Sequence, residues 1–294
     1  MSGRGIRGQG RLVHPNEVPT GVDLVRLLLA DQFPRWADLP VTAVTSSGTD
    51  NAMFRLGADL AVRLPRIPGA AGNIAREREW MPRLAPHLPV PIPLPVAEGR
   101  PGRGYPFPWS VCRWVDGVNP GEGADPVGLA AFVRALRRIE PSGPTSFRGQ
   151  PLVSRDTPTR EAIAALDGMV DTVAVTEAWE AALAVPAWSG PPVWVHGDLS
   201  PGNLVVRDGA LTGVLDFSGV GVGDPAVDLM PAWNLMPASA RAAFRRATGV
   251  DDATWLRGRG WALSVAVIQL PYYKDTNPVL AANARRVIGE VLAS

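Results

Sequence analysis

The sequence predicts an α+β fold of two lobes, a small mixed lobe with an antiparallel sheet followed by a mainly helical lobe. Short β-like runs separated by turn residues cluster in the first third of the chain, around one helical segment. Beyond Phe217 almost every segment has helical periodicity, and one β-like insertion precedes it. We place the small lobe at residues 16–115 and the helical lobe at residues 116–294, with residues 1–15 as a disordered tail.

The bulk composition indicates a folded protein with a substantial core. Of the 294 residues, 46% are hydrophobic and 19% are charged, and the net charge is +1. Such a balanced charge argues against a nucleic-acid partner. No apolar run reaches about 18 residues, so we expect no membrane span. The lone cysteine, Cys112, cannot form an internal disulfide, which favours a cytoplasmic location. The oligomeric state is left open.

The small lobe is predicted from its periodicities in chain order. A short amphipathic helix follows Thr20, and three strands follow it in LPVTAVTS, AMFRLG and LAVRLP. The run AAGNIAREREWMPRLAPHL predicts a helix that Pro82 ends or kinks. The Pro-rich PVPIPLPVAEG is expected to be extended, and PWSVCRWVDG is expected to be a buried strand that leads into a connector.

The large lobe is predicted to be helical on both sides of its β insertion. Asp125-Pro126 and Thr157-Pro158 are helix starts. After the insertion, four helices are expected in PAVDLMPAWNLM, ASARAAFRRATG, DATWLRGRGWALSVAVIQL and VLAANARRVIGEVLA. Between the last two, QLPYYKDTNP is expected to be an irregular segment that lines a cleft.

The β insertion contains a loop, HGDLSPGN, and a predicted hairpin. The strand VWV runs into this loop, and LVVR and LTGVL follow it, joined by the tight-turn pair Asp208-Gly209. With these two residues as the turn, Arg207 faces Ala210, and Asn203 is expected to face Val214.

Hairpin geometry then gathers three polar side chains at one end of a small sheet. Asp216 falls just past the ladder near Asn203, and the loop that carries Asp198 begins at the same edge. Amide and carboxylate oxygens suit Mg²⁺ beside substrate phosphates, and a remaining carboxylate can accept a hydroxyl proton. The alternative without a catalytic role is a surface turn at His-Gly-Asp, with Asp216 capping a neighbouring segment of backbone.

The pattern His-Gly-Asp-Leu-x-x-x-Asn followed by Asp-Phe resembles the aminoglycoside phosphotransferase family, relatives of protein kinases, over roughly residues 40–290. The resemblance implies a protein-kinase-like fold, with Asp198 as the catalytic base. It also implies that Asn203 and Asp216 bind Mg²⁺, and that His196 is a structural residue of the loop.

The segment GDPAVDL, residues 223–229, is similar to the family's segment after the metal site. By that resemblance Asp228 braces the catalytic loop through backbone N–H groups. Asp224 precedes a proline and equally suits a plain helix N-cap. For both residues we expect a structural role.

The small lobe is expected to bind the nucleotide. The turn SSGTDN lies where kinases place a phosphate-covering loop, so Ser47, Gly48 and Asn51 are candidates, although the same residues suit any hairpin turn. Connector residues Cys112, Arg113 and Trp114 are expected nearest the purine. Cys112 has apolar neighbours, which favours a buried structural thiol over a nucleophile.

The third strand departs from the kinase pattern, which has a lysine there paired with a helix glutamate. The only lysine is Lys274, and LAVRLPR offers Arg63 instead. Its Val-x-Arg-x-Pro-Arg pattern resembles the corresponding strand of macrolide-directed kinases. The expected partner is Glu77, with Glu79 as the alternative. A solvated charge on an edge strand is the competing interpretation of Arg63.

These features together predict a Mg²⁺-dependent kinase that transfers the γ-phosphate of ATP or GTP to a hydroxyl of a small molecule. Aminoglycoside and macrolide antibiotics are the candidate acceptors. The helices after Asp228 are poor in acidic residues and rich in aromatic ones, which favours a bulky, partly apolar alcohol over a polycation. The alternatives are a kinase-like nucleotide-binding protein without turnover and a metal-dependent phosphohydrolase.

Overall fold

A computed structural model describes residues 17–45, 48–121 and 125–294 of the chain. The predicted tail, residues 1–15, and the candidate Ser47 lie outside the described residues. Within them, the predicted α+β architecture of two lobes is present.

The small lobe is a five-stranded antiparallel sheet with helices around it. Its strand order is β1-β2-β3-β5-β4. The strands are β1 Val41–Ala43, β2 Asn51–Leu56, β3 Leu60–Pro65, β4 Pro95–Gly99 and β5 Trp109–Arg113, and the helices are α1 Val22–Gln32, α2 Pro68–Ala71 and α3 Asn73–Leu84. The three strands, helix and two strands predicted from the sequence are therefore confirmed.

The core of the small lobe forms between α1 and the sheet. Val25, Leu28 and Leu29 share one helical face and are fully buried against strand residues such as Val62 and Trp109. Gly21 is the N-cap of α1 and makes no side-chain cap, so the expected start at Thr20 was one residue early.

Helix α3 joins the two lobes through its packing. The sequence predicted that Pro82 ends or kinks it. The helix passes through Pro82 and ends at Leu84, so the first of these two alternatives was wrong. Its buried residues Trp80, Met81 and Leu84 belong to the core of the large lobe, and the Trp80 ring lies 5.2 Å from that of Trp194. The burial of this apolar face stabilises the helix more than the proline weakens it.

The large lobe consists mainly of helices around the long α9. They are α4 Pro126–Arg137, α5 Asp156–Ala164, α6 Thr172–Leu183, α7 Pro231–Asn234, α8 Ala238–Thr248, α9 Asp252–Tyr273 and α10 Pro278–Leu292. Among the described residues, none of the helices is long and apolar enough to cross a membrane.

Two predictions for this lobe were wrong. The run PAVDLMPAWNLM is not one helix but a 3₁₀ turn, Pro225–Leu229, followed by the single turn α7, because Pro231 cannot donate the N–H that a continuous helix needs. The expected irregular segment 269–278 begins inside α9, which continues through Pro271 to Tyr273.

The β insertion forms two two-stranded sheets. Strand β6 Val193–Val195 pairs with β9 Gly221–Gly223, and β7 Leu204–Arg207 pairs with β8 Ala210–Val214. The predicted turn is present, with positive φ at Asp208 (53°) and Gly209 (80°).

The register of the hairpin differs from the expected one. Arg207 pairs with Ala210 as predicted, but Leu204, not Asn203, pairs with Val214. The register shifts beside Val205 because Thr212 is an extra residue on β8. The backbone carbonyl of Asn203 instead accepts a hydrogen bond from the backbone N–H of Leu215 at 2.7 Å. Asn203 is therefore one residue closer to Asp216 than predicted.

Candidate active site

The cleft between the lobes contains a cavity of about 880 Å³ lined by residues of both. The structure brings most of the predicted site residues to its wall, namely Gly48, Asn51, Arg63, Glu77, Cys112, Asp198, Asn203 and Asp216. His196, Asp224 and Asp228 are buried beneath the site.

The loop that carries Asp198 is anchored by Asp228. One carboxylate oxygen of Asp228 accepts the backbone N–H of His196 and the other accepts that of Gly197, both at 2.9 Å. Gly197 has a φ of 81°, a conformation that glycine adopts without strain. Asp228 itself is completely buried, and this burial raises its pKa. The carboxylate therefore fixes the backbone just before Asp198.

The ring of His196 ties the same loop to the end of the hairpin. Its Nδ1 accepts the backbone N–H of Asp198 at 3.2 Å, so Nε2 carries the hydrogen and donates to the carbonyl of Leu215 at 2.9 Å. The ring is fully buried and packs edge-on against Phe217, 4.8 Å away. Because both nitrogens are used internally, His196 supports the loop and does not face the cavity.

Asn203 holds the side chain of Asp198. Its Nδ2 donates to the backbone carbonyl of Asp198 at 2.9 Å and to the Oδ2 atom at 3.1 Å. These bonds fix the amide so that its Oδ1 is the atom available to a cation.

Arg148 is a site residue that the sequence analysis missed. It forms an ion pair with Oδ1 of Asp198 and donates to the carbonyl of Gly197 at 3.0 Å. Arg148 lies in a 3₁₀ turn, Phe147–Gly149, fifty residues before Asp198. No local periodicity or motif marks such a residue.

Asp216 stands at the opposite side of this cluster in a left-handed conformation, with a φ of 56°. It accepts the N–H of Ser218 at 3.2 Å, and Arg63 lies 3.6 Å from its Oδ1 atom. Burial alone would raise the pKa of Asp216, but Arg63 and the Ser218 N–H outweigh it and lower that pKa. Asp216 is thus an ionised ligand candidate on the cavity wall.

Arg63 and Glu77 form a buried ion pair between β3 and α3. The Nη1 atom of Arg63 lies 2.6 and 2.5 Å from the two carboxylate oxygens of Glu77, and the side chains are 10% and 6% exposed. Burial opposes the charge on Arg63, but Glu77 and Asp216 outweigh it and raise its pKa. The interpretation as a solvated edge charge is therefore wrong. Glu79, the alternative partner, lies 3.9 Å from Arg83 at the surface.

A divalent cation fits between Asn203 and Asp216 on chemical grounds. Among the described residues, no three His, Cys, Asp or Glu side chains form a metal cage. One amide oxygen and one ionised carboxylate on a cavity wall are instead what Mg²⁺ takes when phosphates and water complete its shell.

The loop before β2 contacts the large lobe directly. The Thr49 hydroxyl donates to the Asp50 carboxylate at 2.9 Å, and the Tyr273 hydroxyl of α9 lies 3.2 Å from that of Thr49. Tyr273 also lines the cavity. This hydrogen bond links the predicted phosphate-covering loop to helix α9 of the large lobe. Thr49 and Tyr273 are 224 residues apart in the sequence, so local patterns do not reveal the contact.

Replacing Tyr273 with Phe is expected to weaken nucleotide binding about 2- to 10-fold, because one hydrogen bond that orders the loop is lost. The measurement is the Kd for ATP and GTP by calorimetry. Tyr272→Phe is the matched control, since its ring is 50% exposed. Equal effects of the two substitutions would contradict a specific role for the Thr49 contact.

The connector contributes less to the cavity than predicted. Cys112 lines it, but Arg113 and Trp114 are not among the lining residues. Their backbone N–H groups already donate to the carbonyls of Leu94 and Asp59, each at 2.9 Å. The Trp114 indole donates to Asp116 and stacks under Arg55. Neither N–H is thus free to meet a purine.

Burial raises the pKa of the Cys112 thiol to about 12. We therefore expect iodoacetamide to alkylate it at least about 10²-fold more slowly near pH 8 than in the unfolded chain, because the thiolate is scarce. Bound nucleotide should slow the reaction further, since Cys112 lines the cavity. Mass spectrometry gives both rates, and a native rate equal to the unfolded one would refute the buried-thiol interpretation.

Asp224 has a structural position. It caps the turn Pro225–Leu229 by accepting the N–H of Ala226 at 2.9 Å, and it pairs with Arg257 of α9 at 2.8 Å. Both side chains are 3% exposed. The pair holds the segment of Asp228 against the central helix.

Comparisons with known proteins bear on the family and the fold of the chain. A model of the phosphotransferase enzyme family matches residues 42–261. No curated protein matches the chain. Several solved structures do match, and their likeness confirms the predicted kinase-like fold.

Three of these structures show the extent of the likeness. The GDP and kanamycin complex of APH(2")-IIia is 19% identical with a TM-score of 0.74, and the match covers 92% of this chain and 98% of that one. The macrolide 2'-phosphotransferase MphH from Brachybacterium faecium is 22% identical with a TM-score of 0.60, covering 92% and 97%. The streptomycin–ATP ternary complex of APH(2")-IIa is 16% identical with a TM-score of 0.57, covering 94% and 97%.

Proposed function

The chain belongs to the phosphotransferase enzyme family, and on this premise we propose that it is a Mg²⁺-dependent kinase acting on a small-molecule hydroxyl. The phosphoryl donor is ATP or GTP, and aminoglycoside and macrolide antibiotics are the candidate acceptors. Family membership confirms that the predicted enzyme class, a phosphotransferase, is right, and an alcohol group of a small molecule is the acceptor that we propose.

One observation carries the proposal. Asp198, Asn203 and Asp216 lie on the wall of the same cleft, and Asn203 donates its amide to Asp198. This leaves a carboxylate, an amide oxygen and a second carboxylate directed to one region, which is the donor set that phosphoryl transfer needs.

In the proposed mechanism Asp198 accepts the proton of the attacking hydroxyl. The brace from Asp228 and the amide of Asn203 fix its position before the acceptor binds, so little reorganisation is needed during transfer. Asp198 is 29% exposed at the cavity, which leaves its carboxylate accessible to a substrate.

Asn203 and Asp216 would hold Mg²⁺, which neutralises the charge of the donor phosphates when bound. Arg63 supplies further positive charge from the small lobe. Its Nη2 atom is buried, lies 3.6 Å from Oδ1 of Asp216 and has no partner within hydrogen-bond distance among the described residues. A buried unpartnered N–H group is costly, so a phosphate oxygen at this position would satisfy it. Gly48 and Asn51, on the loop before β2 and at its start, complete the nucleotide end of the cavity.

Both ATP and GTP are candidate donors because the similar solved structures contain different nucleotides. One similar structure is a GDP complex and another contains ATP, and each name describes that protein alone. Arg113 and Trp114 do not line the cavity and their backbone N–H groups already have partners, so of the three predicted connector residues Cys112 alone lies at the wall.

The test is acceptor-dependent release of nucleoside diphosphate with Mg²⁺. ATP and GTP are each combined with kanamycin, a macrolide and simple amino alcohols, and an EDTA-treated sample is the control. We expect release that needs both metal and acceptor. Nucleotide binding without release would instead identify a binding protein, and phosphate release without an acceptor would identify a phosphohydrolase.

A further inference from the structure

We infer that Arg148 makes the acceptor site selective against polycations, so that the acceptor is a hydroxyl compound with an apolar body and at most one positive charge. This inference rests on the proposed kinase function and narrows its substrate class. The relevant region is the acceptor end, the part of the cavity formed by Phe147, Arg148, Leu235, Tyr273 and residues of α10.

The position of Arg148 fixes the charge that an acceptor meets. Its guanidinium is paired with Asp198, the carboxylate to which the hydroxyl must come. The Arg148 side chain is 27% exposed and lines the cavity. Any ammonium group carried next to the reacting hydroxyl therefore enters the field of a fixed cation in a partly dry cleft, where like charges repel strongly.

The carboxylates of the acceptor end already have partners. Asp198 is paired with Arg148 and Glu290 with Arg241, and Asp50, beside Tyr273, accepts the Thr49 hydroxyl at 2.9 Å. Arg286 adds a further cation to the same wall. A ligand with several ammonium groups needs carboxylates that are free to pair, and this wall does not offer them.

Apolar groups fill the rest of the acceptor end. The Phe147 ring, next to Arg148, is 65% exposed, and Val279 at the start of α10 is also 65% exposed. Both line the cavity, together with Leu235 and Leu280. Large exposed apolar side chains at a cavity mouth gain most from an apolar ligand.

The test compares binding of kanamycin and erythromycin to the wild type, Arg148→Gln and Arg285→Gln, each saturated with a non-hydrolysable ATP analogue. We expect Arg148→Gln to tighten kanamycin binding at least about 10-fold, because it removes the repelling charge. Erythromycin, with one amine, should change less than about threefold. Arg285 is exposed on α10 and does not line the cavity, so its substitution controls for net charge.

Three results would overturn the inference: kanamycin binding that is equal in the wild type and Arg148→Gln, kanamycin binding to neither, or an equal gain in Arg285→Gln. Arg148→Lys retains the charge and should restore the discrimination of the wild type.

If Arg148→Gln fails to fold, the salt dependence of kanamycin binding to the wild type tests the inference instead. Repulsion is screened by salt, so kanamycin binding should not weaken as salt rises, and weakening would contradict us. Because the readout is binding, a failure of phosphoryl transfer would count against the proposed function without changing the measured effect of Arg148 on kanamycin binding.

Discussion

Replacing Asp198 with Asn is expected to lower kcat about 10²- to 10⁴-fold while nucleotide affinity stays within about threefold. The amide has the shape of the carboxylate but cannot accept the hydroxyl proton. The brace from Asp228 and the bond from Asn203 to the Asp198 carbonyl do not depend on the altered group, so the loop should keep its conformation. Single-turnover kinetics and a calorimetric nucleotide Kd measure the two quantities separately.

The matched control is Asp208→Asn, the same chemical change in the hairpin turn. Asp208 has a φ of 53°, a conformation that Asn tolerates, so activity should be unchanged. If Asp198→Asn keeps wild-type turnover, Asp198 is not the base and the mechanism proposed above is wrong. If it loses nucleotide binding as well, the substitution has disturbed the metal region instead.

The second large effect is expected from Arg63→Met. This change keeps the bulk of the side chain but leaves Glu77 buried without its partner, at a cost of about 3–5 kcal/mol in the free energy of unfolding. It should also weaken nucleotide binding at least about 10-fold, because it removes the buried Nη2 group that we propose to bind a phosphate oxygen. Urea unfolding and a nucleotide Kd measure these two losses.

The loss of stability should depend on pH in a definite direction. Burial raises the pKa of Glu77 from 4.5 although Arg63 lowers it, so removing Arg63 raises that pKa further. A carboxyl with a higher pKa in the native state is penalised increasingly as the pH rises above its unfolded value. The loss in the free energy of unfolding caused by Arg63→Met should therefore be smaller near about pH 5 than near about pH 8.

Two variants control this experiment. Arg78 lies on the same helix as Glu77, α3, and Arg78→Met breaks its exposed pair with Glu98 of β4, which should cost less than about 1 kcal/mol. The double variant R63M/E77L removes both buried charges and should recover most of the stability. A deficit of Arg63→Met no larger than that of Arg78→Met would show that the buried pair does not stabilise the fold.

The sequence predicted the parts of the fold that local chemistry determines. The Asp208-Gly209 turn defined the hairpin, and the short alternating runs gave the strands of the small lobe. The pairing of Arg63 with Glu77 was expected from a resemblance, and the structure brings the two side chains together. Each of these features involves residues that are close together in the sequence, within a turn or a short motif.

The remainder depends on tertiary packing, which a local pattern does not contain. Helix α9 continues through Pro271 because Leu270 is fully buried in the large-lobe core and Tyr273 packs against that core. Arg148 reaches Asp198, and Tyr273 reaches Thr49, only after distant segments have folded together. The sequence pattern did not identify the break before Pro231, whereas helices α3 and α9 continue past Pro82 and Pro271.

The extra residue in the hairpin bears on how such sites are recognised in other chains. If Thr212 were deleted, Leu204 could still pair with Val214 and Arg207 with Ala210, now in an unbroken ladder. The thirteen-residue gap from Asn203 to Asp216 is therefore not itself required for the metal ligands to meet, because the bulge absorbs one residue of length. A sequence search that requires a thirteen-residue spacing from one metal ligand to the other would overlook a site with a spacing of twelve. Such a search should therefore allow the spacing to vary.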